Sequence, residues 1–370
     1  MKSPDIHIEE GPLGPPPIDG VNTSTAGMAG IAERGPAEPQ LIRSWREYQN
    51  LFGGFVDDAF LPAAVQGFFD NGGRRVYVAR ASDARTGLAA LESIDDISLL
   101  LAPDEVTDST GAISAAVIDQ CERRRDRFAI VSARRSADRI QDLRPPRDSA
   151  FAAFYCPWFR VLDPVRQKSV MVPPAGHIAG IYARTDIERG IHKPPANADV
   201  RGLTTGAAGS SEEPLEFTVT DAEHDILNPR GVNVVRDFRK AGRGIRVWGA
   251  RTMSSNAIWK YVNVRRLFIF VERSIDQGTQ WVAFEPNGET TWAHVRRLVT
   301  NFLLQLWRNG ALVGTTADEA FFVKCDRTTM TQNDIDNGRL LCLIGMAPVK
   351  PAEFVIVRIS QHTAEGRPRV

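Results

Sequence analysis

Ile97-Ser98-Leu99-Leu100-Leu101 and Phe128-Ala129-Ile130-Val131 are two short apolar runs, and what lies between them decides the fold. A run of this length without polar alternation predicts a strand buried on both faces. Across 112–127, Ile113, Ala116, Val117 and Cys121 recur at helical spacing. Strand, helix and strand in that order predict a parallel, right-handed βαβ crossover. The expected fold class is mixed α/β, with this layer inside a compact core.

Working outward, residues 21–80 read as strand, helix, helix, strand. Ser44-Trp45-Arg46-Glu47 is a capping-box signature. Trp45, Tyr48 and Phe52 then share one helical face. A second helix runs from Leu61 to Phe69 and stops at Asn71-Gly72-Gly73, ahead of a strand at 75–80. Residues 195–213, rich in Ala, Gly, Ser and Thr, read as a linker. Beyond it, Val264, Leu267, Phe268, Val271 and Ile275 predict a helix, and Trp281-Val282-Ala283-Phe284 a strand. Val295, Leu298, Val299, Phe302 and Leu306 stripe a long helix from Glu289 to Asn309, closed by Gly310. A polar turn at 333–338 separates strand candidates at 320–324 and 340–344, and a third follows at 354–359.

The ends read differently. Ile6 and Ile8 alternate with polar residues, and Gly11-Pro12-Leu13-Gly14-Pro15-Pro16-Pro17 follows as a semi-rigid spacer. A lone strand on such a leash must find its backbone partners on a sheet edge, in its own copy or a neighbour. The expected organisation is an arm (1–20), a first part of the core (21–94), an α/β middle domain (95–215), a C-terminal core domain (216–352) and a C-terminal strand and tail (353–370).

Across 370 residues, 45 basic side chains balance 45 acidic ones. A nucleic-acid partner calls for a basic surplus, so none is expected. No apolar run reaches the roughly 20 residues needed to span a bilayer, and the start lacks the apolar stretch of a secretory signal. Cys121, Cys156, Cys325 and Cys342 form no CxxC, which argues against a zinc or disulfide framework and for a reducing site of synthesis.

Sites of chemistry are sparse. Asp104-Glu105, directly after an apolar run, offers carboxylates where a phosphate site needs glycine amides. Gly242-Arg243-Gly244 precedes a strand rather than a helix. His177, His192 and His224 have no ligand spacing, and no GxSxG elbow occurs. Asp104-Glu105 and Glu212-Glu213 read as solvated loop pairs. Arg123-Arg124-Arg125-Asp126-Arg127 reads as an exposed helix end, with contact to another subunit as the sharper alternative. The reading assigns no catalytic, cofactor-binding or metal-ligating residue. The rival reading is an α/β metabolic enzyme with an unrecognised active site.

Several ordered segments resemble the phage tail sheath family. They begin at Ile18-Asp19-Gly20-Val21-Asn22-Thr23-Ser24-Thr25-Ala26, Gly30-Ile31-Ala32-Glu33-Arg34-Gly35-Pro36 and Phe68-Phe69-Asp70-Asn71-Gly72-Gly73. Pro173 to Asp186, Asn228 to Asn233 and Arg246 to Thr252 continue the series. Tyr261 to Leu267, Phe322 to Asp326 and Pro348 to Phe354 complete it. The resemblance covers nearly the whole chain, although Pro4-Asp5-Ile6-His7-Ile8 departs from the family's usual Pro-Gly-Val-Tyr opening.

That resemblance implies a structural subunit with no enzymatic role and no cofactor. It implies a homo-oligomer of stacked rings or a helix around an inner tube protein, bounded by baseplate and terminal cap proteins. Such a particle is assembled in a bacterial cytoplasm as part of a phage tail or tail-like injection particle. Terminal arms would insert as strands into neighbouring copies: Ile6 and Ile8 at one end, and Phe354, Val355, Ile356, Val357 and Ile359 at the other, the latter as a second arm or, with the strand 340–345, as part of the receiving sheet. The polar face of the long helix, with Glu289, Arg296 and Arg297, would face the tube. A membrane-anchored secretion sheath is a second rival, but those sheaths split the role between two chains.

Overall fold

The computed structural model describes residues 16–135, 140–204 and 213–353. The expected arm strands, Ile6 and Ile8 at one end and residues 354–359 at the other, lie outside the described residues, as does Glu212.

The first part of the chain forms β1 (Ala26–Gly30), β2 (Gln40–Ile42), α1 (Trp45–Phe52), α2 (Leu61–Asp70), β3 (Val76–Arg80) and α3 (Ala84–Glu92). Next come β4 (Leu99–Leu101), α4 (Ala112–Arg124), β5 (Phe128–Ser132), β6 (Ala152–Cys156), β7 (Phe159–Asp163), β8 (Lys168–Val172) and α5 (Ala175–Arg189). The rest holds α6 (Asp221–Leu227), β9 (Val232–Asp237), β10 (Ile245–Trp248), α7 (Val262–Thr279), α8 (Glu289–Arg308), α9 (Ala317–Ala320), β11 (Phe321–Lys324), α10 (Gln332–Asp336) and β12 (Leu343–Met346).

The two apolar runs that open the reading become β4 and β5, which pair in parallel across α4. They sit inside an eight-stranded sheet of order β10-β9-β6-β5-β4-β1-β3-β2. From β9 to β3 the strands run parallel, while β10 and β2 close the two edges antiparallel. The sheet is buried on both faces. Leu99, Leu101, Phe128 and Ile130 point into one cluster with α2 and α5. Leu100, Ala129 and Val131 point into the other, with α3 and α4. The boundary expected at 215/216 falls within this sheet, since β9 and β10 come from beyond it.

Local signals explain the clearest helices. Ser44 accepts the Glu47 amide and Glu47 takes the Arg43 amide at 2.7 Å. Trp45 stacks on Tyr48 with ring centroids 5.2 Å apart. The periodicity did not single out α5, because every residue from Ala175 to Thr185 is buried and no polar face exists to betray the helix. It lies against α2 so tightly that a Cβ on Gly176 would sit 2.3 Å from the Ala64 backbone, and one on Gly180 2.4 Å from the Phe68 carbonyl.

Beyond the sheet, α7, α8, β11 and β12 enclose a third cluster built on Leu267, Val271, Val295, Val299 and Phe302. Two expectations fail here. Trp281 to Phe284 forms no strand: Gln280–Val282 is a 3-10 turn, and Phe284 adopts a φ of 71° with its ring in solvent. Trp281 and Val282 instead cover the join between α7 and α8, where Pro286 ends any extended run. The polar turn at 333–338 contains α10, capped reciprocally by Thr331 and Asp334.

Candidate assembly interface

In a sheet of this order, a ligand crevice belongs beyond the carboxyl ends of β1 and β4, where the winding reverses. Asp104 and Glu105 fill it. Asp104 accepts the Ile31 amide at 2.8 Å and the Phe60 amide at 2.6 Å, joining the end of β1 to the start of α2. Glu105 accepts the Ser132 amide at the end of β5 at 2.7 Å. A Cβ on Gly30 would lie 2.5 Å from the Asp104 carboxylate, so this close approach requires glycine. The pair is buried, not solvated as its loop position suggests. Strand-end amides removed from water need acceptors, and these side chains supply them. Burial pushes the Glu105 carboxyl up to about 8 and raises Asp104 as well, against the pull of the amides. Amides that could cradle a phosphate at these three points are therefore already used.

The histidines do not form a reactive set. His177 is fully buried with its ring edge-on to Phe159, and burial pushes it down to about 4. His224 Nε2 lies 3.0 Å from the Trp248 carbonyl. His192 and His224 do line one cleft of about 790 Å³, beside Lys193 and Glu353. Burial lowers both imidazoles, so they stand neutral there at pH 7. Among the described residues, no group of His, Cys, Asp and Glu could hold a metal ion, and no helix is long and apolar enough to cross a membrane.

The arginine run is split: Arg123 and Arg125 are exposed, as its place at a helix end suggests, whereas its end turns inward. Arg127 is wholly buried and donates to the Leu91 and Ile94 carbonyls at 3.0 Å each, with Asp126 at 2.8 Å. Arg124 pairs with Asp95 and Asp126, and Arg123 with Glu92. Arg125 and Arg265 approach the Phe151 ring. The run thus pins α3 and the loop after it to the end of α4. Its partners on and after α3 lie about thirty positions away, so spacing alone could not reveal them.

Unlike the large sheet, β11 and β12 form a sheet of two strands. Each strand has one ladder neighbour and leaves its other edge unpaired among the described residues. Phe321, Val323, Ile344 and Met346 face the third cluster. Phe322 and Leu343 face outward at 47% and 55% exposure, with Leu341 beside them. Phe322 lies across Gly345, its directly opposite partner, where a Cβ would meet the ring at 2.2 Å. Strand existence here was legible, although β12 starts at Leu343 rather than Leu340. Which side faces water was hard to read, because Phe322 and Leu343 put apolar side chains on the outward face beside Lys324.

The two described chain ends are anchored. At the N-terminal end, Ile18 is buried against Gly278 of α7, and the Val21 amide donates to Ser274 Oγ at 3.1 Å. At the C-terminal end, Glu353 receives Arg251 through two bonds of 2.8 and 2.7 Å, with the Tyr261 hydroxyl at 3.2 Å and Lys260 at 3.4 Å. Burial raises the Glu353 carboxyl, but the Arg251 bonds and the Lys260 charge outweigh it and hold the group below its ordinary range. The Arg251 backbone is gripped in turn by the Asn233 side chain of β9, which accepts its amide and donates to its carbonyl, both at 2.7 Å. Nothing in the sequence marked Ile18, Arg251 or Glu353 as anchors.

On α8, Arg296 and Arg297 are exposed, and Glu289 pairs with Arg327 at 3.0 Å. Glu289 and Arg296 line one shallow cleft with Cys325 and Asp326.

Comparison with known proteins matches the phage tail sheath protein central domain to residues 78–253 and the phage tail sheath C-terminal domain to residues 254–362. A prophage major tail sheath protein of Pseudomonas aeruginosa is 26% identical over 284 residues, covering 74% of this chain and 68% of that protein. The PVC sheath complex of an extracellular contractile injection system, in its contracted state, superposes with a TM-score of 0.79 at 32% identity, covering 98% of each chain. The contracted helical sheath of the anti-feeding prophage gives 0.78 at 31%, covering 98% of this chain and 100% of that one.

Proposed function

The chain belongs to the phage tail sheath family, and we propose that it is the subunit of a contractile sheath, tied to its neighbours through the β11–β12 sheet. The match to a contracted sheath along 98% of both chains carries this reading. The subunit packs with other copies in stacked rings or a helix around an inner tube, between a baseplate and a terminal cap. It is made in a bacterial cytoplasm and becomes part of a phage tail or tail-like particle. Nucleic acid and membrane insertion play no part in this reading, and the chain is not an enzyme.

The mechanism follows from two kinds of connection. Residues 3–10 of one copy and 353–360 of another add as strands to the open edges of β11 and β12. Each strand forms about five backbone bonds at roughly 1 kcal/mol net apiece. Such links persist while rigid cores rotate and slide past one another. The extended sheath is metastable on the tube, and contraction buries more surface between cores. No nucleotide is consumed, in keeping with a crevice filled by Asp104 and Glu105. On this reading Glu289, Arg296 and Arg297 of α8 face the tube.

Deletion of residues 1–15 tests the joint. The cut precedes Ile18, which is part of the core. Negative-stain microscopy should show dispersed, folded subunits in place of striated cylinders. Cylinders of normal length would overturn the reading.

A further inference from the structure

The β11–β12 ladder ends with Lys324 opposite Leu343. Continued one position beyond the two strands, that register sets Cys325 opposite Cys342. Directly opposed residues in an antiparallel pair hold their Cα atoms about 4.5–5.5 Å apart, inside the range a disulfide spans. Both are free thiols, and each lies close enough to shift the acidity of the other. Cys325 is buried, whereas Cys342 is partly open to solvent. Cys121 and Cys156 are each fully buried on other elements, α4 and β6.

We propose that Cys325 and Cys342 are a cross-strand dithiol that closes to an intrachain disulfide by exchange with a small-molecule disulfide of the glutathione type. The Cys342 thiolate, the reachable one, attacks a sulfur of the small disulfide and expels one small thiolate. The Cys325 sulfur then attacks Cys342 and expels the second. Two protein thiols are oxidised to one bridge, one small disulfide is reduced to two thiols, and the protein's two protons pass to the departing thiolates. Cys342 is the thiol open to solvent, and the neighbouring Cys325 lowers it from the ordinary thiol range, which favours it as the attacking group. The neighbouring Cys342 and burial push Cys325 up, which suits the slower, resolving role. The bridge ties the open end of the β11–β12 sheet as the protein passes from a reducing to an oxidising compartment. That it would stiffen the joint between copies rests on the reading above; the chemistry itself does not.

The test uses the full chain as dispersed, folded subunits in glutathione disulfide, followed by thiol blocking and peptide mass mapping. The expected result is a Cys325–Cys342 bridge, seen as loss of both thiols and of two hydrogens. Cys121 and Cys156 become available to the blocking reagent only after denaturation. In C325S, Cys342 should accumulate as the mixed disulfide with glutathione. Three outcomes would overturn the proposal: wild-type chain halting at that mixed disulfide, all four cysteines oxidising alike, or the pair staying reduced under conditions that oxidise the unfolded chain. Because the readout is on separate subunits, failure of the joint reading leaves this result unaffected.

Discussion

The large sheet and the β11–β12 sheet treat their edges in opposite ways. At β10, residues 197–200 cover the outer edge through backbone bonds such as the Val200 amide to the Ile245 carbonyl at 2.9 Å. At the far end, β2 is three residues long, too short to template another strand. In the β11–β12 sheet, both strands are edges and the outer face carries Phe322 and Leu343. The same backbone groups are thus satisfied internally in one region and left available in the other. A body that must move as a unit needs the first arrangement, and a joint between bodies needs the second.

The sharpest challenge to the body is Arg266→Ala. Arg266 and Asp186 are each only 3% exposed, and the guanidinium also reaches the Thr23 carbonyl at 3.0 Å. Removing one partner strands a buried charge, at about 3–5 kcal/mol. Urea unfolding should show that loss, and a midpoint within error of wild type would mean that the pair does not brace the body.

Arg251→Ala is a smaller blow, aimed where the C-terminal segment leaves the body. We expect a loss of about 1–3 kcal/mol from a Glu353 left with only Tyr261 and Lys260. The Glu353 contribution is present above its unfolded value near 4.3 and fades as pH falls through the lower folded one. Wild-type stability should therefore drop more steeply than that of the variant below pH 4.

Glu105→Gln works in the opposite pH direction. The folded state favours the protonated carboxyl, so its contribution is full below the unfolded value near 4.3 and is lost as pH rises towards and through about 8. Gln keeps an acceptor for Ser132 without the charge. Melting curves should coincide near pH 4 and separate by about 3 °C in favour of the variant at pH 9. Parallel curves would show that Glu105 is not held protonated.

Phe322→Glu addresses the joint alone. Stability should change by no more than about 0.5 kcal/mol, as for an exposed site, while cylinder formation is lost. Intact cylinders would remove the outward face of β11 from the joint. Arg296→Glu with Arg297→Glu should leave the unfolding midpoint unchanged and weaken only co-assembly on the inner tube, measured by co-sedimentation.

Legibility in the sequence tracked how local each cause was. The Ser44 cap, the apolar runs at 97–101 and 128–131, and the stripe of α8 need only near neighbours, and all were readable. Asp104 was misread because its partners, Ile31 and Phe60, lie far upstream in the chain. Arg127 was misread for the same reason. Helix α5 gave no periodic signal because it is buried all round from Ala175 to Thr185. Trp281 to Phe284 looked like a strand because apolar character alone does not tell a strand from a covered turn. The outward face of β11 was hidden because Phe321 and Phe322 are the same residue type on opposite sides.

The Glu353 clamp also has a mechanical meaning. A tug on the chain beyond residue 353 loads the Arg251 guanidinium first. From there it passes to the Asn228 carbonyl and, through Asn233, into β9 of the large sheet. Traction on this tail thus bypasses the β11–β12 hairpin and is spread across the stiffest part of the molecule, as a guy-rope is pegged into bedrock rather than turf.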